Sequence, residues 1–335
     1  MPGGVSDKPV VLSGSACHGR QCAPDGREEE HRADWSAQHN YGKDKENGMS
    51  GFLIDPDLLG LEDAVAVVTG GAAGVGRGCS VQLARAGCHV AVVDVNAEAG
   101  ERTAAEIRAL GRRALFLRVD VRERSAVQDM VAQVLAELGG LDVMVSGVGH
   151  PVHIGSVLDL GEEQWDEVFA LDIKTTLFCA QAAAVSMVER GVRGRIVNVS
   201  SSSGIAGAPT IAAYGAAKAG VIHLTRSLAL EFAPYGIRVN CLVPGTHLTE
   251  AMQASLDAGG PMADFIRAAG RATPLGRLGE PMETGGVAVF LASKLSAYMT
   301  GHAVVSDGGI THTTSRPPVG APAVPRALAH INGAQ

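Results

Sequence analysis

From residue 60 onward, short β-branched runs alternate with longer stretches in which apolar positions recur every three or four residues. The runs are AVAVVT (64–69), HVAVVD (89–94), ALFLRV (114–119), DVMVS (142–146), RIVNVS (195–200), IRVNCLV (237–243) and HAVVS (302–306). Each is apolar on both faces, as expected of strands covered by helices on either side. Segments such as NAEAGERTAAEIRALG (96–111) and SAVQDMVAQVLAELG (125–139) carry the helical period. Strand and helix in alternation predict an α/β fold. About seven parallel strands form one doubly wound sheet, with right-handed crossovers placing helices on both faces.

The ends of the chain break this pattern. Residues 1–58 include DGREEEHRADWSAQHNYGKDKENG, charged and nearly free of aliphatic side chains. Such a segment buries too little surface to offset its ordering entropy, so a disordered tail is expected. Met49 stands just before the periodic region and is a candidate translation start. Residues 59–312 form the expected single domain, and the proline-rich residues 313–335 an extension. The chain is 46% hydrophobic and 19% charged, ordinary for a globular protein with a large core. A net charge of -7 argues against nucleic-acid binding by bulk electrostatics. No apolar run reaches the length that crosses a bilayer, and the first residues lack the pattern of a secretory signal, so a cytoplasmic location is expected. Cys17, Cys22 and His18 lie close together, but no second pair follows at ligand spacing, and no metal is expected. Cys79, Cys88, Cys179 and Cys241 sit in apolar patterns and read as buried small hydrophobes.

Chemistry enters at the strand ends. TGGAAGVGRG (69–78) follows the first strand, with Gly70, Gly74 and Gly76 spaced for a tight turn at a helix N-terminus, where backbone amides bind phosphate. Asp94 ends the second strand eighteen residues after Gly76. A carboxylate there accepts hydrogen bonds from an adenosine ribose and repels a 2′-phosphate, and Ala73 stands where a basic residue would help hold that phosphate. NAD is therefore favoured over NADP. The other reading of Asp94 is a cap for the next helix. Further along, AAYGAAKAG (212–220) places Tyr214 and Lys218 on one helical face, thirteen residues after Ser201. A free phenol is a poor base at neutral pH, and a cation one helical turn away favours the phenolate.

The glycine loop, a serine after the fifth strand and Tyr-x3-Lys, in that order, resemble the short-chain dehydrogenase/reductase superfamily over roughly residues 60–312. The resemblance implies a Rossmann-like fold and hydride transfer between NAD and a secondary alcohol or ketone, steroid-like or hydroxyacyl in type. Tyr214 is then the general acid/base, Ser201 orients the substrate oxygen, and Lys218 holds the nicotinamide ribose. It further implies dinucleotide contacts from Gly70, Gly74, Val75 and Gly76, from Asp120 and Val121 after the third strand, and from Gly147. Pro244, Gly245, His247 and Thr249 of PGTHLT form the nicotinamide-side loop, DGG (307–309) is a structural turn, and the assembly is a homotetramer.

Two positions depart from the family pattern. SGVG (146–149) replaces the usual NNAG, so Ser146 and Gly147 supply fewer hydrogen bonds and looser support around the nicotinamide is expected. Asp172 stands where the family places an asparagine that holds a water linking the lysine to solvent. Its carboxylate has three readings: it keeps that relay, it pairs with Lys218 and weakens it, or it faces solvent. His150 and His153 border the substrate mouth without an assigned role. Residues 246–275 are expected to form a helical lid whose Leu248, Met252, Leu256, Met262 and Phe265 suit an apolar substrate or ordinary packing. The alternatives to an NAD-dependent dehydrogenase are an NADP-dependent 3-oxoacyl thioester reductase, which Asp94 disfavours, and a catalytically silent dinucleotide-binding scaffold.

Overall fold

The computed structural model describes residues 57–313. The expectations for both tails, for Met49 and for the Cys17–His18–Cys22 cluster lie outside these residues. The strands are β1 (Val65–Thr69), β2 (His89–Asp94), β3 (Ala114–Arg118), β4 (Val143–Ser146), β5 (Arg195–Val199), β6 (Arg238–Pro244) and β7 (Ala303–Ser306). They form one sheet in the order β3-β2-β1-β4-β5-β6-β7, parallel throughout. The helices are α1 (Gly74–Arg85), α2 (Ala97–Ala109), α3 (Arg124–Leu138), α4 (Glu162–Phe169), α5 (Thr175–Glu189), α6 (Ala212–Phe232), α7 (Glu250–Ala258), α8 (Gly260–Ala272) and α9 (Pro281–Ala292).

Alternation along each strand divides the core. Val65 and Val67 face one side with Ala91, Val93, Met144 and Ile196, where α3, α5 and α6 pack. Ala66 and Val68 face the other with Val90, Val92, Val143 and Val145, against α1, α2 and α9. Both faces of the central strands are buried, which is why these strands read as continuous apolar runs rather than as alternating ones. Cys79, Cys88, Cys179 and Cys241 are all buried, and burial pushes the thiols of Cys79 and Cys179 up to about 12. They are inert fillers, as the sequence pattern indicates.

One expectation needs correction. α4 and α5 form one continuous helical run, Glu162–Glu189, whose most apolar window has a mean hydropathy of 1.4 and is long enough to cross a bilayer. Its Cys179, Ala180, Ala183 and Met187 are fully buried against the sheet, so here this apolar length covers a core face. Residues 246–275, expected to be helical, hold two helices, α7 and α8. The two meet at Gly259 and Gly260, whose left-handed φ angles of 75° and 80° interrupt the helical run.

Candidate active site

The strand order reverses between β1 and β4, and a crevice opens beyond the carboxyl ends of the strands at that point, the usual ligand position in such sheets. This cleft has a volume of ≈ 900 Å³. Its floor is the turn between β1 and α1. Gly70 and Gly74 there take φ angles of 66° and 51°. A Cβ on Gly76 would lie 1.9 Å from the Gly70 carbonyl oxygen, so the loop closes only with glycine. Ala73 is the N-cap of α1 and provides no side-chain acceptor, so the first-turn amides have no local cap and suit an anion from elsewhere. A tight backbone turn, locally uncapped amides and a long cleft fit a dinucleotide.

Asp94 borders the same cleft. Its Oδ2 accepts from Ala72 N at 3.2 Å and its Oδ1 from Asn96 N at 3.0 Å, which ties β2 to the glycine turn. The helix-cap reading of Asp94 is overturned. Asn96 caps α2, its side chain accepting from Ala99 N at 3.1 Å. Asp120 and Val121 line the cleft beyond β3, with the Asp120 carboxylate held by Arg122 at 2.6 Å. That guanidinium holds its carboxyl below the usual carboxylate range.

Ser201, Tyr214 and Lys218 also line the wall of this cleft, although β5 and α6 supply them from separate segments. Ser201 follows β5 and caps a short 3-10 turn, its hydroxyl accepting from Ser203 N at 3.2 Å. Tyr214 occupies the first turn of α6, and Lys218 the next. The Lys218 side chain is only 2% exposed. Its Nζ donates to Val199 O at 3.1 Å and Val148 O at 3.4 Å, and it lies 5.7 Å from the centre of the Tyr214 ring. Ser200, which the sequence did not single out, donates to the Lys218 carbonyl at 2.7 Å and fixes that turn of α6.

Asp172 lies behind this wall rather than on it. A π-turn, Ala170–Lys174, interrupts the long helix and carries Asp172 inward, fully buried. The solvent-facing reading is therefore wrong. Asp172 Oδ1 lies 3.2 Å from Lys218 Nζ, without the alignment of a hydrogen bond, and neither carboxylate oxygen has an aligned donor. Burial raises the Asp172 carboxyl above its ordinary value, with Lys218 opposing. Gly149 is what admits the pair, since a Cβ there would lie 2.3 Å from both Asp172 Oδ1 and Lys218 Nζ.

The SGVG departure has a mixed outcome. Ser146 Oγ is buried without a partner, as expected of a poorer hydrogen-bonding residue. Gly147 N, however, donates to Thr69 O at 3.1 Å and meets Thr69 Oγ1 at 3.2 Å, so the backbone beside the cleft is well tied to β1. Pro244, Gly245, His247 and Thr249 border the cleft as expected. The His247 ring is turned inward, with Nδ1 2.9 Å from Gly245 O and Nε2 against Thr284 Oγ1, and burial lowers its pKa. Of the lid residues, Met252 lines the cleft, while Met262 and Phe265 are exposed on α8. His150 also lines the cleft. Glu250, at the start of α7, reaches the glycine loop, which nothing in the sequence indicated.

The comparisons agree with this geometry. A family model described as enoyl-(acyl carrier protein) reductase matches residues 70–311. Cyclopentanol dehydrogenase from Comamonas sp. is 38% identical over 75% of this chain and 98% of its own. L-rhamnose 1-dehydrogenase (NAD(P)(+)) from Sphingomonas sp. is also 38% identical, over 75% of this chain and 97% of its own. The crystal structure of a short-chain type dehydrogenase/reductase from Mycobacterium marinum superposes with a TM-score of 0.71, at 36% identity, over 77% of this chain and 99% of that one. The chain belongs to the short-chain dehydrogenase/reductase superfamily. It is an NAD(P)-dependent oxidoreductase of the alcohol dehydrogenase type acting on a small molecule.

Proposed function

We propose that this chain is an NAD-preferring dehydrogenase that interconverts a secondary alcohol, cyclic or otherwise largely apolar, and its ketone. The observation that carries the reading is that Ser201, Tyr214 and Lys218 line the same cleft as the glycine turn and Asp94. Gly70, Gly74, Val75 and Gly76 would hold the dinucleotide phosphates, Asp94 its ribose, Asp120 and Val121 its adenine end. Gly147 and the Pro244–Thr249 loop would border its nicotinamide end. When bound, the nicotinamide supplies the hydride acceptor or donor. Ser201 orients the substrate oxygen, and the Tyr214 hydroxyl takes or returns the proton on that oxygen. Lys218, buried one turn further along α6 with its Nζ 5.7 Å from the centre of the Tyr214 ring, would hold the nicotinamide ribose and set a positive charge near the reacting oxygen. Asp94 supports NAD over NADP because its carboxylate repels a 2′-phosphate.

Ring alcohols as substrates are supported by the name of the Comamonas relative and by Met252 and Pro151 along the cleft. A homotetramer is supported by the exposed Val185 and Val188 on α5. A cytoplasmic location is supported by the free thiols of Cys79, Cys88, Cys179 and Cys241 among the described residues, which suit a reducing compartment. One observation favours the second reading, a silent binding scaffold: Asp172 sets a carboxylate against the Lys218 cation. A single experiment separates the two. NADH and NADPH binding is followed by fluorescence, with turnover on a panel of secondary alcohols and ketones, for wild type and Tyr214→Phe. Tighter NADH binding, with turnover lost in Tyr214→Phe while binding persists, is the expected result. Binding without turnover across the panel would favour the scaffold, and no binding of either nucleotide would overturn both.

A further inference from the structure

The first turn of α1 already holds an anion of the protein's own. Glu250 is the first residue of α7, where Thr249 caps the helix and its methyl approaches the glycine turn: a Cβ on Gly74 would lie 3.2 Å from Thr249 Cγ2. From there the Glu250 carboxylate crosses to α1. Its Oε2 accepts from Gly74 N at 3.1 Å, and its Oε1 lies 3.6 Å from Arg77 Nη1. Arg77 is held from the other side by Glu106 at 2.6 Å, so the cation is already matched without Glu250. Glu250 itself lines the cleft together with Gly70, Gly74 and Gly76.

A helix N-terminus preceded by a glycine turn attracts negative charge through its open amides and its dipole. These are the amides assigned above to the dinucleotide phosphates. Glu250 engages one of them from the lid, and its carboxylate lies in the same cleft as a second negative charge. We propose that Glu250 sets the affinity for the dinucleotide: it is an internal competitor that closes α7 onto the glycine turn, and cofactor binding requires its release. This deepens the proposed function and rests on it. It couples two events. With the cofactor absent, α7 is latched by the Glu250–Gly74 contact; with the cofactor bound, the latch is open and α7 is free to rearrange over the substrate.

The test measures affinity and lid order rather than turnover. NADH binding is followed by fluorescence for wild type, Glu250→Gln and Asp257→Asn, at an ionic strength of about 0.15 M. Asp257 lies on the same helix two turns further on and bonds only Gln253 among the described contacts, at 2.8 Å. It removes the same charge at about 10 Å along the helix, beyond the screening length. Glu250 is partly exposed, so its contact with the dipole is screened and the expected gain is modest. Glu250→Gln should bind NADH about 3- to 10-fold tighter. Asp257→Asn should match wild type. In the cofactor-free protein, amides of α7 should exchange hydrogen faster in Glu250→Gln than in wild type. Glu250→Ala, which removes the acceptor altogether, should reproduce both effects if the glutamine variant folds poorly. Equal or weaker NADH binding by the Glu250 variants overturns the competitor, as does an equal gain in Asp257→Asn, which would make the effect one of net charge. Either result leaves the dehydrogenase reading standing, because wild type still binds; failure of wild type to bind NADH or NADPH overturns that reading and this one with it.

Discussion

Replacing Asp172 by asparagine measures what the buried carboxylate contributes. At 3.2 Å from Lys218 Nζ, and with an effective dielectric constant of about 20, the attraction amounts to about 5 kcal/mol. Removing an ion from water costs several kcal/mol after relaxation, so the two effects are of one size. The direction of the Asp172 shift decides between them: burial outweighs Lys218, and the carboxyl sits above its ordinary 3.8. The ionised form is therefore less favourable in the folded chain than in water, and asparagine resembles the neutral acid. Lys218 keeps its bonds to Val199 O and Val148 O. The variant should lie within about 1 kcal/mol of wild type at neutral pH, or above it, whereas removing one partner of a buried ion pair ordinarily costs about 3–5 kcal/mol. The pH dependence has a definite sign. Between the unfolded value and the raised folded value, the native state holds a proton that the unfolded chain lacks. Wild-type stability from this group therefore falls as pH rises through that window and is regained on acidification. Asparagine does not titrate, so the variant's relative stability should be best at neutral pH and decline as pH approaches 3.8. Urea unfolding at about pH 7.5 and pH 4.5 reads this directly. Turnover should be equal or higher, since Lys218 no longer faces an opposing charge. A loss of about 3 kcal/mol or more at neutral pH, or collapse of turnover in a folded variant, would refute the reasoning.

Gly76→Ala would place a methyl 1.9 Å from a backbone oxygen that cannot move without the whole turn; NADH binding measured by fluorescence should be lost. Asp94→Ala should narrow the preference for NADH over NADPH and, by freeing Ala72 N and Asn96 N, lower stability by about 1–2 kcal/mol in urea unfolding. His247 has a pKa lowered by burial, so as pH falls through the unfolded value of 6.5 the unfolded chain gains a proton that the native ring refuses. Stability from this group is present above that value and declines below it, and His247→Gln should flatten the decline in unfolding curves measured across acid pH. Thr210 takes a φ of 71°, strained for a β-branched residue, and its carbonyl accepts from Gly155 N at 2.9 Å. Thr210→Gly should raise the melting temperature by about 2–4 °C, relief of strain exceeding the entropy cost of glycine by about 1 kcal/mol.

The five inner strands were legible because both of their faces are buried, which writes itself as a run of Val, Ile and Leu, and the half-buried edge strands β3 and β7 keep enough of that pattern to be read as well. Their ends shift by one or two residues, as at Val119, which reads as strand but follows the end of β3 at Arg118. The site was legible where a residue type has one chemical use, as with Tyr214 beside Lys218 or glycines packed against backbone. It was not legible where the use depends on direction. Asp94 and Asn96 are both good caps, and only the folded turn shows Asn96 taking that role while Asp94 holds Ala72. Asp172 is buried because one extra residue is accommodated in the turn that carries it, and a helical period read from sequence does not register a single-residue π-turn. Glu250 meets Gly74 across 176 positions of sequence, with no local pattern to announce the contact.

The placement of these groups also explains which changes should affect stability and which should affect binding. Gly70, Gly147 and Gly245 each follow a strand directly, Asp94 ends one, and Asp120 and Ser201 stand two residues beyond theirs. Tyr214 and Lys218 occupy the first two turns of α6, whose buried Val221 packs against Cys241 and Val243 of β6. Each of these positions is thus set by the sheet, where small displacements are resisted by close packing. α7 differs: none of its residues is fully buried, and Glu250 anchors its first turn to the glycine loop. Substitutions that disturb the sheet should therefore lower stability together with catalysis, whereas substitution of Glu250 in the first turn of α7 should move cofactor affinity while the unfolding midpoint stays near that of wild type. On the proposed reading, the rigid part fixes where the proton moves, and the weakly held helix governs what enters the cleft.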